Sequence, residues 1–161
     1  MLACARQFRH RQEDTKTVSE IRIEPDPHAS ESLKLVLADH LDMYNVGVTG
    51  FTEYSPVNLF LRDDGDEVQG GLLAAIWGGV MYIRVLWVAR ALRGKGHGQR
   101  LLAAAEQRAI ERGCRHVFLD TFSFQAPDFY VKQGYEIYAR ADDWPVGHAH
   151  YFLRKALPSP P

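Results

Sequence analysis

The chain has 161 residues, of which 46% are hydrophobic and 24% charged; this is the size and composition of one globular domain and excludes a wholly disordered protein. The 19 basic and 20 acidic residues give a net charge of −1, so no overall field attracts nucleic acid or an anionic membrane, and we expect neither partner. Only two cysteines occur, Cys4 and Cys114, which argues against a disulfide framework and favours a cytoplasmic location. No apolar run approaches the roughly 20 residues that span a bilayer.

The two ends of the chain differ in composition from its middle. Met1–Gln12 contains three arginines, as a transit peptide does, but Glu13 and Asp14 follow at once and no serine-rich stretch does. We therefore expect residues 1–19 to form a disordered extension, with a transit peptide as the alternative. The proline-rich tail, residues 157–161, is expected to be disordered as well. Residues 20–156 are then expected to form a single domain.

The first predicted elements are a short strand, a helix and a loop. Ile21–Glu24 alternates apolar and polar residues, which predicts a first strand that Pro25 ends. Apolar residues then recur three and four positions apart, which predicts an amphipathic helix with its apolar stripe at Leu33, Val36, Leu37, His40 and Leu41. Asn45–Ser55 is rich in Gly, Thr and aromatic residues, which is typical of a loop or a broken second helix.

Three strands are predicted next. Asn58–Arg62 is the first of them, and the acidic turn at 63–66 ends it. Gln69–Trp77 and Val80–Val88 flank a Gly-Gly pair, which indicates a hairpin. The last of these strands is apolar on both faces apart from Arg84, as expected of a central strand that is covered on both sides.

The second half of the chain alternates helices and strands. A helix is predicted at residues 98–112 and a strand at Val117–Thr121, followed by a short helix at Ala126–Gln133. Tyr135–Ala139 and His148–Arg154 are the predicted last strands. The order of elements predicts an α/β fold with a central, mostly antiparallel sheet of six to seven strands and helices on both faces.

The junction between the apolar strand and the long helix carries the strongest functional signal. It consists of Arg93-Gly94-Lys95-Gly96-His97-Gly98-Gln99. Glycines let backbone N–H groups approach a ligand closely, and a helix start offers unpaired N–H groups with a partial positive charge. The pattern therefore predicts a diphosphate site, although its spacing is neither a P-loop nor a dinucleotide fingerprint. A tight turn without a ligand is the alternative.

Two blocks of the sequence resemble the GCN5-related N-acetyltransferase (GNAT) superfamily. Arg93-x-x-Gly96-x-Gly98 is similar to its acetyl-CoA motif, and Ala126-x-x-Phe129-Tyr130-x-Lys132-x-Gly134-Tyr135-Glu136 resembles a later segment. The resemblance implies a GNAT fold, with a V-shaped splay between two parallel strands. It further implies an acyltransferase that needs no metal, takes acetyl-CoA as co-substrate and acetylates a primary amine, on a small molecule or a protein, by direct attack in a ternary complex.

The resemblance also assigns roles to particular residues. Tyr130 would protonate the departing thiolate, and Ser123 stands where the family often has an asparagine. Cofactor binding falls on Leu86, Trp87, Val88, Arg93, Gly94, Lys95, Gly96, His97, Gly98, Gln99, Ser123 and Tyr130. The glutamate that the family often carries on the strand before the loop is missing here. The base therefore stays open among Glu53, Tyr82, Asp120 and a water chain.

The acceptor amine is expected to meet a second set of side chains: Glu53, Tyr54, Tyr82, Arg84, Asp120 and Trp144. Because strands alternate, Arg84 should share a face with Tyr82, Leu86 and Val88, where it binds an acidic substrate or pairs with Asp120 or Glu53. His148 and His150 share a face of the last strand, which we expect to be solvated or to line a pocket. Cys114 is expected to be a small buried apolar residue.

Two other functions use the same features. A non-catalytic acyl-CoA sensor or interaction module on the same fold would need the loop but not Tyr130. A nucleotide-binding protein would use the loop for a different anion. The sequence leaves both a monomer and a homodimer open.

Overall fold

The computed structural model describes residues 21–158, so most of the two segments predicted to be disordered lies outside the described residues. The elements in chain order are α1 (Glu31–Thr49), β1 (Ser55–Arg62), β2 (Val68–Trp77), β3 (Val80–Val88), α2 (His97–Glu111), β4 (His116–Phe122), α3 (Pro127–Lys132), β5 (Glu136–Asp142) and β6 (Ala149–Ala156). A short 3-10 turn, Arg90–Leu92, lies between β3 and α2. No helix of the described range is long and apolar enough to cross a bilayer.

The chain divides into two compact units, one that ends at His40 and one that begins at Leu41. In the first unit, the predicted strand Ile21–Glu24 is wrong: these residues form no ladder within the described chain. Four alternating residues do not make a strand without a partner for their N–H and C=O groups. The unit also contains the start of α1, where the Ser30 hydroxyl caps the helix by accepting the Leu33 N–H at 3.2 Å.

The second unit contains the end of α1 and the whole sheet. The helix continues to Thr49, so the loop predicted from Asn45 starts later than expected. Gly50 ends it at φ 73°, a conformation that glycine adopts without strain. The predicted helix at 98–112 is confirmed as α2, which closes with the Cys114 N–H donating to the Ala109 carbonyl and the Gly113 N–H to that of Ile110.

The sheet has six strands in the order β1-β2-β3-β4-β6-β5. All neighbours are antiparallel except β3 and β4, which run parallel and are joined through α2. This confirms the predicted mixed sheet. The core lies between α2 and one face of the sheet, where α2 buries Leu101, Leu102, Ala105 and Ala109 against apolar residues of β2, β3, β4 and β6. Cys114 is buried at the same core, as predicted.

The two central strands separate halfway along their length. Val80–Ile83 pair with His116–Leu119, and no ladder joins β3 to β4 beyond that point. The separation coincides with a β-bulge, because Val85 lies opposite Leu73 and Ile83 opposite Ala74, which leaves Arg84 as an extra residue. The predicted V-shaped splay is therefore present at the carboxyl ends of the parallel pair.

The bulge corrects the predicted facing of Arg84. One inserted residue reverses the alternation of the strand, so Leu86 and Val88 pack toward the core whereas Tyr82 and Arg84 do not. No ion pair among residues 21–158 includes Arg84, so the predicted pairing with Asp120 or Glu53 is not observed. Its side chain is exposed at the splay, where the cleft described below begins.

Candidate active site

A cleft of about 870 Å³ occupies the splay between β3 and β4. The end of β3, the glycine turn, the start of α2, the end of β4 and α3 enclose it. Predicted site residues that line it are Arg84, Leu86, Trp87, Val88, Arg93, Gly94, Gly96, His97, Gly98, Gln99, Asp120 and Tyr130. Two regions far apart in sequence thus meet at one cleft.

The turn before α2 leaves a run of backbone donors unpaired. The first α2 hydrogen bond is donated by the Arg100 N–H to the Gly96 carbonyl at 3.0 Å, and among the described residues no backbone acceptor pairs with the N–H groups of residues 94–99. Gly94 and Gly96 adopt φ angles of 74° and 82°, which explains why both positions are glycine. The Arg93 side chain fixes the turn to β3 by donating Nε–H to the Val88 carbonyl at 3.0 Å.

The last residues of β3 form a one-sided edge. Leu86, Trp87 and Val88 pair with β2, and their other edge faces the cleft because β4 has diverged. An edge of this kind can take an extended ligand as an additional strand.

Tyr130 lies in α3 at the opposite wall of the cleft and is 8% exposed. The rings of Phe129 and Tyr135 pack edge-to-face against it at centroid distances of 5.1 and 6.0 Å. Burial, with a smaller contribution from the negative charge of Asp120, raises the pKa of Tyr130 to about 12. Its phenol therefore keeps its proton at neutral pH.

Asp120 stands on β4 just past the point of divergence and holds two hydrogen bonds. The Tyr82 hydroxyl donates to its Oδ1, and its Oδ2 lies 2.6 Å from Nε2 of His150 on β6. Burial and the hydrogen bond to Asp120 raise the pKa of Tyr82 to about 12. Three side chains from three adjacent strands thus form one network, of which sequence reasoning had named Tyr82 and Asp120.

His150 was expected to be solvated or to line a pocket, but it is buried and does not line the cleft. It is 4% exposed and is enclosed by Phe122, Trp144 and Phe152, with ring centroids at 4.3, 4.4 and 4.6 Å. The sequence signal for this network was the placement of Asp120 and His150 near the ends of strands that become neighbours, which the pairing of β4 with β6 reveals.

Several predicted residues do not reach the cleft. Ser55 pairs with Ile76 at the hairpin end of β2, so Glu53 and Tyr54 precede β1 at the end of the sheet opposite the splay. Lys95 belongs to the turn but does not line the cleft, and Tyr82 and Trp144 touch the site through Asp120 and His150.

The hydroxyl of Ser123 is engaged elsewhere, because it accepts the Ala149 N–H at 3.1 Å. Sequence reasoning missed Gln125, which does line the cleft. Its Oε1 accepts hydrogen bonds from the Thr121 hydroxyl at 2.8 Å and from the Phe122 N–H at 3.0 Å. The chain turns after β4, and this turn, which the sequence did not predict, brings the Gln125 side chain to the cleft.

Comparison with known proteins places the chain in a family. The sequence profile of the Acetyltransferase (GNAT) family matches residues 16–135. Acetyltransferase Atu2258 of Agrobacterium fabrum is 33% identical over 107 residues, which cover 66% of this chain and 78% of the relative. Blasticidin-S acetyltransferase of Streptomyces morookaense is 40% identical over 92 residues, which cover 56% of this chain and 68% of the relative.

A crystal structure of an acetyltransferase from Bacillus cereus superimposes with a TM-score of 0.77 at 31% identity, covering 85% of this chain and 98% of that one. The chain belongs to the GNAT acetyltransferase family.

Proposed function

We propose that the protein transfers the acetyl group of acetyl-CoA to a primary amine, by direct attack of the amine while both substrates are bound. The observation that carries the proposal is the cleft itself, which brings the unpaired turn, the open edge of β3 and the buried Tyr130 phenol to one space. Each of the three fits a different part of the acetyl-CoA molecule.

The turn fits the diphosphate. Up to six N–H groups of residues 94–99 face no backbone acceptor, and the α2 N-terminus adds a partial positive charge. Arg93 brings a full charge to the same turn while one of its N–H groups holds the Val88 carbonyl. These groups can hold an anion locally, as the net charge of −1 requires.

The edge of β3 fits the pantetheine arm and the thioester. The arm carries amide groups that can pair with the open edge of β3, as an added strand does. A backbone N–H at the start of this open edge can polarise the thioester carbonyl, as donors do in an oxyanion hole. Acetyl-CoA supplies the activated acyl group, and the chain supplies orientation and charge stabilisation.

Tyr130 fits the role of proton donor to the leaving sulfur. Its raised pKa of about 12 keeps it protonated in the resting state, and its position at the cleft wall faces the open edge of β3. A phenol can share a proton with a developing thiolate at modest cost.

The acceptor is proposed to be a small-molecule or peptide amine. The relative named for blasticidin S, 40% identical over 92 residues, supports the small-molecule class. A cytoplasmic location, expected from the scarcity of cysteines, stays a prediction, as do the monomer and the homodimer.

The test is a thiol-release assay with acetyl-CoA and four amines: blasticidin S, kanamycin, spermidine and tyramine. Product masses would identify N-acetylated amines, and calorimetry would give the Kd of CoA. We expect CoA binding and amine-dependent thiol release. CoA binding without release from any amine would favour the acyl-CoA sensor, for which the absence of a glutamate in β3 is the supporting observation. Absence of both would contradict the proposal, and stronger thermal protection by ATP than by CoA would favour a nucleotide-binding protein.

A further inference from the structure

The proposed reaction needs a proton acceptor that β3 does not supply. A primary amine is protonated at neutral pH and must lose a proton before or during attack on the thioester. β3 contains no acidic residue, and Glu53 lies at the far end of the sheet. Of the acidic side chains in the described residues, Asp120 lines the cleft.

We propose that the Asp120 carboxylate binds the acceptor amine and receives its proton, and that Tyr82 and His150 are positioning residues that hold this carboxylate. This inference rests on the proposed function and names the proton acceptor within the same cleft.

The position of Asp120 follows from the splay. Leu119 is the last residue of β4 that pairs with β3, and Asp120, the next residue, lines the cleft just beyond the paired part. Its side chain is 27% exposed, whereas that of His150 behind it is almost fully buried. The carboxylate is thus anchored from within the protein and accessible from the cleft.

The hydrogen bonds leave the carboxylate with free acceptor capacity. An ionised carboxylate has about four lone-pair sites, and Tyr82 and His150 use one on each oxygen. The remaining sites can accept the N–H groups of an ammonium or amine. Two fixed donors also restrict rotation of the carboxylate, so its free sites keep one direction.

The network defines the role of His150. An ionised carboxylate can only accept, so Nε2 of His150 carries the proton of this hydrogen bond, and the neutral ring has its lone pair on Nδ1. Nδ1 is buried and has no hydrogen-bond partner among the described residues. Since Nδ1 has no contact with the cleft, His150 acts as a donor to Asp120 and does not take the proton from the substrate itself.

The surroundings of Asp120 suit an amine on an apolar body. Phe122 and Phe124 stack at a centroid distance of 5.2 Å, and exposed Phe124 lines the cleft beside Asp120. Aromatic faces attract ammonium groups, and a carboxylate supplies the opposite charge.

Proton donor and proton acceptor border the same space. Asp120 and Tyr130 both line the cleft. In the proposed sequence the bound ammonium first gives one proton to Asp120, which passes it to solvent. The freed amine lone pair then forms the N–C bond while the C–S bond breaks, the nitrogen gives its second proton to Asp120, and the sulfur takes one proton from Tyr130. Asp120 releases its proton to solvent and solvent reprotonates Tyr130, so no oxidant or metal is consumed.

Ionisable groups on the elements around Asp120 also affect how the charge of the site changes with pH. They are Tyr82 and Arg84 on β3, Tyr130 on α3, His150 on β6 and, beside Tyr82, Tyr138 on β5.

The first test compares Asp120→Asn with Asp142→Asn, an exposed carboxylate on β5 that pairs with Arg140 at 2.6 Å. With the fastest of the four amines, Asp120→Asn should lower kcat/KM at pH 7 roughly 10²- to 10⁴-fold, while the Kd of CoA stays within about twofold. The deficit should narrow as pH rises and solvent deprotonates the amine. Asp142→Asn should retain wild-type rates. Wild-type kcat/KM in folded Asp120→Asn would overturn the inference and leave the proposed function intact, whereas wild-type protein that neither binds CoA nor releases thiol would overturn both.

The second test remains decisive if Asp120→Asn fails to fold. Removal of a donor to a carboxylate disfavours its charged form, so Tyr82→Phe and His150→Phe should each shift the acidic limb of the kcat/KM profile to higher pH. Carbon-detected NMR of the Asp120 carboxyl group, which needs no substrate, should show its titration moving in the same direction. A titration and an acidic limb that are unchanged in both variants would contradict the positioning roles.

Discussion

The two halves of β3 share one strand but have opposite environments. In the first half, Val80–Ile83 is paired on both sides, and Met81 and Ile83 are buried beneath α2. In the second half, Arg84–Val88 keeps only the β2 ladder, and Trp87 is 49% exposed. The bulge at Arg84 separates the two halves.

The difference assigns stability to one half and function to the other. Pairing on both sides fixes the first half and uses its peptide groups within the sheet. The second half lacks a neighbour, so its peptide groups, the glycine turn and Asp120 become available together. A cleft at the carboxyl ends of parallel strands follows from the same divergence.

The largest expected effect concerns chemistry in the cleft beside the second half of β3, which we call the open half. Tyr130→Phe removes the proton donor and should lower kcat roughly 10²- to 10⁴-fold, with the Kd of CoA within about twofold of wild type. Tyr138→Phe is the matched control, since Tyr138 packs against Phe118 at 6.0 Å outside the cleft. An unchanged kcat in Tyr130→Phe would show that the Tyr130 phenol is not the proton donor.

The next effect concerns stability in the first, fully paired half of β3. Met81 lies there and is 0% exposed, so Met81→Ala should lower the free energy of unfolding by about 2–5 kcal/mol in urea titrations. Trp87→Ala in the open half should lower the free energy of unfolding by roughly 1 kcal/mol or less and should instead weaken CoA binding. Equal losses of stability would show that the two halves are not distinct.

A matched pair of glycines separates backbone strain from ligand binding. Gly96 in the turn and Gly79 in the β2–β3 hairpin have φ angles of 82° and 77°, and a Cβ on either would meet no protein atom within 4 Å. Alanine at either position should therefore cost about 1–2 kcal/mol of stability.

Only Gly96→Ala should also weaken CoA binding. Loss of one hydrogen bond to a charged group costs about 1.5–3 kcal/mol, which corresponds to a roughly ten- to hundredfold higher Kd in calorimetry. Equal affinities of the two variants for CoA would show that the turn does not bind CoA.

The smallest expected effect is a pH dependence of stability. Because the folded pKa of Tyr130, about 12, exceeds the ordinary value near 10, the neutral phenol favours the folded state. This contribution is fully present below pH 10 and is lost as pH rises toward 12. Between pH 9 and 11, the free energy of unfolding of Tyr130→Phe should therefore fall by about 1 kcal/mol less than that of the wild type, as measured by urea unfolding. Parallel curves for the two proteins would contradict the raised pKa.

Local sequence patterns were sufficient for most of the fold and for the turn. A continuous apolar run after a Gly-Gly pair predicted β3 at its observed bounds, and the glycines at 94, 96 and 98 marked the start of α2. These features depend on residues that are neighbours in the chain. Tyr130 was predicted through the resemblance of its segment, and the structure places it at the cleft.

Features that depend on pairing between distant segments were not predictable. The bulge at Arg84 reverses which residues of the strand end face the core. The sequence does not reveal it, because the residues around Arg84 are apolar on both faces and show no alternation. The burial of His150, expected to be solvated or to line a pocket, was missed because its aromatic neighbours come from β4, β6 and the loop between β5 and β6. Ile21–Glu24 shows the opposite error, since its pattern suggested a strand that has no partner among residues 21–158.

A crystal structure of the protein with CoA tests the account most directly. We predict diphosphate oxygens within hydrogen-bond distance of backbone N–H groups of residues 94–99 and the pantetheine arm paired along Leu86–Val88. A coenzyme bound elsewhere, with these N–H groups directed at protein acceptors, would contradict the assignment of the open half of β3 to catalysis.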